Sequence, residues 1–147
     1  MANDTASNHL TQLAKPTSPQ GRLSESEIRH LVNSFYTKVR SDPELGPIFE
    51  GAIGDWGLHL TKMHDFWSSI MLTSGRYHGN PVTVHLRVAG MEPLLFARWL
   101  ALFNETCRDL FEADIADAFL AKAERIAESL KLALFNRPDR RWKGVAP

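Results

Sequence analysis

Cysteine is nearly absent from the sequence. Cys107 is the only one among 147 residues, so no disulfide can form within the chain, and a reducing compartment is expected. Long apolar runs are missing as well, since no stretch approaches the roughly 18 residues that a membrane-spanning helix needs. Residues 1–20 also lack the apolar centre of a signal peptide. These absences predict a cytoplasmic protein that does not enter a membrane.

An excess of charge of either sign is lacking too. The 17 lysine and arginine residues balance 17 aspartate and glutamate residues, which gives a formal net charge of +0 at pH 7. A neutral chain has no overall positive field with which to attract phosphates. We therefore expect neither a nucleic acid nor a membrane surface as a partner.

The usual signatures of enzyme active sites do not occur. The sequence contains no GxGxxG, P-loop, GxSxG, CxxC or HExxH motif. Cys107 follows Phe103 by one helical turn, which is typical of a small buried residue rather than of a nucleophile. The carboxylates are scattered over polar positions. No standard catalytic motif therefore identifies a reaction.

What the sequence does contain is one long region of helical pattern between two polar ends. Residues 1–22 are rich in Asn, Thr, Ser, Pro and Gln and are predicted to be a disordered arm. Residues 137–147 carry three arginines and one lysine and are predicted to be a basic flexible tail. Between them, apolar residues recur at three- and four-residue spacing. We assign residues 23–136 to a single all-α domain.

The first predicted helix has clear signals at both ends. Ser24 and Glu27 have the spacing of a capping box, and Asp42-Pro43 ends the pattern. Residues 44–49 are predicted to form a turn of helix at most, and residues 51–54 a loop.

Three more long helices follow. Asp55 is the predicted N-cap of the second, Pro93 is the predicted first residue of the third, and Asp114 begins the fourth. Residues 75–80 are expected to interrupt the helical pattern after the second helix, and residues 81–86 to form a short segment opened by proline.

Four polar side chains stand at inward-facing positions of this pattern. His59 interrupts the predicted inner stripe of the second helix, and His85 lies within the apolar run 82–88. The other members of that stripe are Trp56, Met63, Phe66, Trp67 and Ile70. Tyr36 and Trp99 belong to the inner faces of the first and third helices. Each alone can be satisfied by a hydrogen bond within an ordinary core. Burying all four without partners would be costly in free energy, because each buried polar group without a partner costs about 1–3 kcal/mol.

A haem would relieve that cost. Its flat apolar ring packs between aromatic and aliphatic walls, and its iron takes a neutral imidazole as axial ligand. A ligand on the opposite face carries partial negative charge and accepts hydrogen bonds from a phenol or an indole. Zinc, the competing use of two histidines, lacks a third ligand, because His64 follows His59 by five residues and points to another face.

The order and spacing of several short motifs resemble the truncated globins, specifically group III. The resemblance runs from about Leu31 to Phe135. The motifs that carry it are Phe35-Tyr36, Leu45-Gly46-Pro47-Ile48-Phe49, Trp56-x-x-His59, Phe66-Trp67-Ser68-Ser69, Tyr77-x-Gly79-Asn80-Pro81-x-x-x-His85 and Phe96-x-x-Trp99-Leu100. The resemblance implies a two-over-two helical sandwich around haem b, iron protoporphyrin IX.

The resemblance also implies a role for each of the polar residues. His85 would be the proximal iron ligand, and Tyr36 the distal hydroxyl that donates to bound oxygen. Trp99 would be the distal indole beside the ligand, and His59 the distal histidine that gates access from solvent. The apolar walls of the haem slot would be Phe35, Phe49, Met63, Phe66, Trp67 and Phe103.

The function that this resemblance implies is the binding of O2, NO and CO at ferrous iron. It further implies nitric oxide detoxification or peroxide-linked redox chemistry, as a dioxygenase or a peroxidase-like enzyme that is served by an unidentified reductase. Two alternatives stay open: a haem-based O2 or NO sensor or carrier without turnover, and a haem-free helical interaction module.

Overall fold

A computed structural model describes residues 23–79 and 92–135 of the chain. Within these two ranges the secondary structure is helical, without strands, and comprises α1 (Glu25–Ser41), α2 (Leu45–Ala52), α3 (Trp56–Leu72), α4 (Pro93–Leu110) and α5 (Ala113–Phe135). The predicted all-α class is confirmed. None of the described helices is long and apolar enough to cross a membrane.

Helix α1 occupies the centre of the arrangement. It begins with the predicted capping box, in which the Ser24 side chain accepts from the Glu27 amide at 3.1 Å and the Glu27 carboxylate accepts from the Ser24 amide at 2.9 Å. Its apolar residues are buried as their spacing predicts, namely Ile28, Leu31, Val32, Phe35, Tyr36 and Val39. Through this face α1 packs against α2, α3 and α4.

The long helices form two packed pairs. Helix α1 packs on α3, and α4 packs on α5 across a short connection, while the contact between α1 and α4 joins the two pairs. One apolar core runs through both pairs, and Phe35, Phe103, Phe119 and Cys107 are among its fully buried members. This is the two-over-two arrangement expected from the sequence.

Helix α2 corrects the prediction for residues 44–54. Instead of one turn of helix and a loop, the helix extends to Ala52 and ends where the Ile53 amide donates to the Phe49 carbonyl at 2.9 Å. Its first amides are satisfied by Asp42, whose carboxylate accepts from the Leu45 amide at 2.9 Å. Because tertiary packing and this cap stabilise the helix, the weak helical propensity of its glycines does not end it early.

The other helix ends agree more closely with the sequence. Asp55 accepts from the Leu58 amide at 3.0 Å as the N-cap of α3, and Pro93 is the first residue of α4. Helix α5 begins at Ala113, one residue before the predicted start. After α3, Thr73 takes a left-handed conformation, and residues 73–79 are not helical. The predicted segment 81–86, arm 1–22 and tail 137–147 lie outside the described residues.

Candidate functional site

Tyr36 lies at the centre of a group of aromatic rings contributed by α1, α2 and α3. Its ring centroid is 5.0 Å from those of Phe35 and His59, and 6.0 Å from those of Phe49 and Trp56. Burial among these rings raises the pKa of the Tyr36 phenol well above its ordinary value, because the phenolate would be desolvated. The hydroxyl therefore keeps its proton at neutral pH and is available as a donor.

His59 lies in the first turns of α3 and faces Tyr36. The two rings are nearly perpendicular, at 89°, and His59 meets Trp56 in the same way at 5.7 Å and 87°. The side chain is half-buried, and its Nε2 atom is inaccessible to solvent. The packing of α1 on α3 thus brings together the phenol and the imidazole that are separated by 22 residues in the sequence.

Trp99 joins this group from α4. Its ring contacts Phe35 edge-on at 5.5 Å and stacks on Phe103 at 5.5 Å with an interplanar angle of 1°. Trp67 of α3 stacks on Phe103 as well, at 5.0 Å. Phe35 consequently touches both Tyr36 and Trp99, so the phenol and the indole belong to one connected aromatic cluster.

The predicted inner stripe of α3 is only partly correct. Trp67 is buried in the core, whereas Trp56, His59, Met63, Phe66 and Ile70 are only half-buried, and the residues buried beside Trp67 are His64, Ser68 and Met71. The core-facing side of α3 is therefore rotated from the predicted one. Its half-buried side joins Phe49 and Trp99 in an apolar face that the rest of the described chain only partly covers.

Glu25 is the hydrogen-bond partner of polar residues that are buried on α3. His64 Nε2 lies 2.9 Å from Glu25 Oε1, and the Ser68 hydroxyl donates to Glu25 Oε2 at 2.8 Å. His64 thus faces the beginning of α1, whereas His59 faces Tyr36, so the prediction that the two imidazoles point to different faces is correct. Sequence reasoning missed the role of Glu25, because no local spacing connects a residue to partners about 40 positions away.

The segment after α3 folds back onto that helix. The Tyr77 amide donates to the Ser69 hydroxyl at 2.9 Å, and the Tyr77 ring meets Phe66 edge-on at 5.1 Å. This segment leads towards His85, the predicted iron ligand, which lies outside the described residues. Every other predicted site residue is described, and among the histidine, cysteine, aspartate and glutamate residues of that part no cluster of three could hold a metal ion.

Comparison with known proteins decides the family. No protein-family model matches the sequence. The chain is similar to the group 3 truncated hemoglobin ctb of Campylobacter jejuni, with 33% identity over 117 residues that cover 77% of this chain and 92% of the relative. The chain belongs to the group III truncated haemoglobins. The resemblance seen in the sequence motifs is thereby confirmed.

A solved structure agrees with this truncated haemoglobin assignment. The crystal structure of the group III truncated hemoglobin from Campylobacter jejuni matches the chain with a TM-score of 0.73 and 33% identity, again over 77% of this chain and 92% of the other. The predicted truncated-globin fold is therefore confirmed. The roles of the individual site residues stay predictions.

Proposed function

We propose that the chain is a haem b protein that binds O2 and other diatomic gases. The observation that carries the proposal is the pairing of a buried, protonated Tyr36 with His59 beside a half-buried apolar face. When bound, haem would supply a ferrous iron that can take a gas molecule as ligand. Membership of the truncated haemoglobins supports the same conclusion.

The apolar face has the chemistry that a flat macrocycle requires. Half-buried rings and a thioether from three helices line it, namely Phe49 of α2, Met63 and Phe66 of α3, and Trp99 of α4. Covering them would remove apolar surface from water, which contributes about 25 cal/mol of favourable free energy for each Å² buried. Phe35, Trp67 and Phe103 lie behind this layer and would hold its members in place by ring contacts.

Each polar residue would act on one side of the macrocycle. His85 would supply the axial imidazole, as its place in the family motif implies. On the opposite side, the Tyr36 hydroxyl and the Trp99 indole N–H would donate to the gas molecule, which accepts charge in this low-dielectric setting. His59 would stand at the mouth of that side and control access.

We further propose that the chain oxidises nitric oxide. One NO, one O2 and one electron from a reductase partner would together give one nitrate. Apolar side chains around the gas molecules would favour this chemistry, because NO and O2 partition from water into apolar surroundings. Peroxide-linked turnover and a sensor or carrier role without turnover are the competing outcomes of the test.

Absorbance spectra of the purified protein test the cofactor. Ferric and dithionite-reduced samples should show a Soret band that shifts on reduction and again on addition of CO. A chain that shows no Soret band after incubation with hemin would be a haem-free helical module, and the proposal would be wrong.

A nitrate assay tests the turnover. NO added to the ferrous protein in oxygenated buffer with a chemical reductant should give several nitrates per haem, and His85→Ala should give none above the uncatalysed rate. Nitrate at the uncatalysed rate in both proteins would leave a sensor or carrier, and peroxide consumption alone would indicate peroxidase-like chemistry.

A further inference from the structure

Trp56, which the predicted site does not include, lies beside both His59 and Tyr36. It is the first residue of α3, and its ring meets His59 at 5.7 Å and Tyr36 at 6.0 Å, each close to edge-on. The Trp56 ring therefore packs directly against the imidazole of His59, one helical turn further along α3.

Two charged residues hold the Trp56 indole from the outside. The indole N–H donates to Glu50 Oε2 at 3.3 Å, and the Arg40 guanidinium carbon lies 4.2 Å from the centre of the ring. Arg40 and Glu50 are themselves paired, because Arg40 Nε donates to Glu50 Oε1 at 2.8 Å. The three side chains come from α1, α2 and α3, so they connect all three helices at this end of the site.

The charged pair is stable at neutral pH yet accessible to solvent. Hydrogen bonds from Arg40 and then from Trp56 lower the pKa of the Glu50 carboxyl, so the carboxylate persists. The Arg40 and Glu50 side chains are 45% and 48% exposed, respectively. Pairs this exposed are weak and are screened by salt. Such a pair can open and close without disturbing the core.

We propose that Arg40 and Glu50 form a latch on Trp56, and that Trp56 is a positioning residue which holds His59 in the closed position at the distal entrance. This inference rests on the proposed haem function, and it names what regulates access to that site. The equilibrium between the closed and open positions of His59 then depends on an exposed ion pair as well as on the histidine itself.

Carbon monoxide association after flash photolysis of the ferrous protein measures the gate. Glu50→Gln and Arg40→Met remove the charge pair and should each speed association by up to about fivefold, the range expected for losing a weak exposed contact. The double variant should match the single ones, because both changes open the same latch. Raising salt to roughly 1 M, where the Debye length is about 3 Å, should speed the parent and leave Glu50→Gln unchanged.

Asp117→Asn is the matched control. It breaks another exposed carboxylate–arginine pair, in which Arg108 Nη2 lies 2.6 Å from Asp117 Oδ1 at the α4–α5 connection. Its association rate should equal that of the parent. Unchanged rates in Glu50→Gln and Arg40→Met, or the same acceleration in Asp117→Asn, would overturn the latch.

A second measurement does not depend on the rate of gas binding. Nuclear magnetic resonance of ¹⁵N-labelled indole groups, recorded on the CO-saturated protein, identifies the Trp56 N–H as the signal that Trp56→Phe lacks. That signal should move in Glu50→Gln and on addition of salt, and should not move in Asp117→Asn. A chain without a Soret band would refute the haem proposal, yet its magnetic resonance spectra would still report on the latch. If the Trp56 indole signal did not move in Glu50→Gln, the latch alone would be refuted.

Discussion

The hydroxyl of Tyr36 is buried among aromatic rings and retains its proton, because ionisation there would desolvate a charge. A hydrogen bond to a charged acceptor is worth about 1.5–3 kcal/mol, or roughly tenfold or more in a rate. Tyr36→Phe should therefore speed O2 dissociation by about that factor, and Trp99→Phe should do the same. Stopped-flow replacement of O2 by CO measures both rates.

Tyr77→Phe provides the matched control for that experiment. Tyr77 is the only other tyrosine, and its ring contacts Phe66 rather than His59. Its O2 dissociation rate should equal that of the parent, and CO dissociation should change less than O2 dissociation in all variants, since bound CO carries less charge. Parent-like O2 release in both Tyr36→Phe and Trp99→Phe would show that neither side chain donates to the ligand.

Among the helices, the junction of α1, α2 and α4 depends on Asp42. Its carboxylate accepts from the Leu45 amide at 2.9 Å, from the Glu44 amide at 3.1 Å and from Arg98 Nε at 2.8 Å. Hydrogen bonds from Arg98, followed by those from the two amides, lower the pKa of this carboxyl. One side chain therefore ends α1, caps α2 and attaches α4.

Asp42→Asn should lower the free energy of unfolding by about 2 kcal/mol at neutral pH, because hydrogen bonds to a charged group contribute about 1.5–3 kcal/mol. A carboxyl whose pKa is lowered by folding stabilises the protein above its unfolded pKa, about 3.9, and loses that contribution as pH falls through the folded value. Urea unfolding of parent and variant should thus converge towards acid pH. A difference that stays constant down to about pH 2 would contradict the role of the charge.

Helix α2 offers a test of its close approach to α1. A Cβ on Gly46 would lie 2.7 Å from the Arg40 carbonyl oxygen, a backbone atom that cannot move aside cheaply, whereas a Cβ on Gly51 has no atom within 4 Å. Gly46→Ala should cost about 1–3 kcal/mol of stability through overpacking. Gly51→Ala, in the same helix, should be neutral or stabilise by up to about 1 kcal/mol. Equal unfolding midpoints in urea would contradict the close packing.

The accuracy of the sequence predictions for these elements depended on how local their signals are. The caps at Ser24 and Asp55 and the proline at position 93 act within one turn of chain, and all three were predicted correctly. The length of α2 was not predicted correctly, because its cap comes from Asp42, which also ends the preceding helix. The buried face of α3 was partly wrong, because the residue that satisfies His64 is 39 positions away.

At the scale of the whole molecule, family membership and fold were predictable, whereas the charged contacts beside the site were not. The resemblance to the truncated globins predicted that Tyr36, His59 and Trp99 lie in one site, and the structure brings their rings into one connected cluster. The latch formed by Arg40, Glu50 and Trp56 went unpredicted, because it arises only when three helices meet. Cys107 was correctly predicted to be buried, and burial raises the pKa of its thiol to about 12.

Haem binding should also determine the stability of the whole domain. The half-buried apolar face between α2, α3 and α4 costs solvation free energy until a macrocycle covers it, and a ligand that binds only the folded chain stabilises it by mass action. At a haem concentration about 100 times the dissociation constant, that contribution is about 2.7 kcal/mol. Haem-loaded protein should therefore melt several degrees above the haem-free chain.

His85→Ala removes the imidazole that we propose as the iron ligand. This variant should lose most of the haem-dependent stabilisation and show a weaker Soret band, and added imidazole should restore both in part. His78→Ala removes an exposed histidine of the described chain and serves as the control, with the spectrum and melting curve of the parent. If His85→Ala kept the parent's Soret band and its full haem-dependent stabilisation, another residue would have to bind the iron.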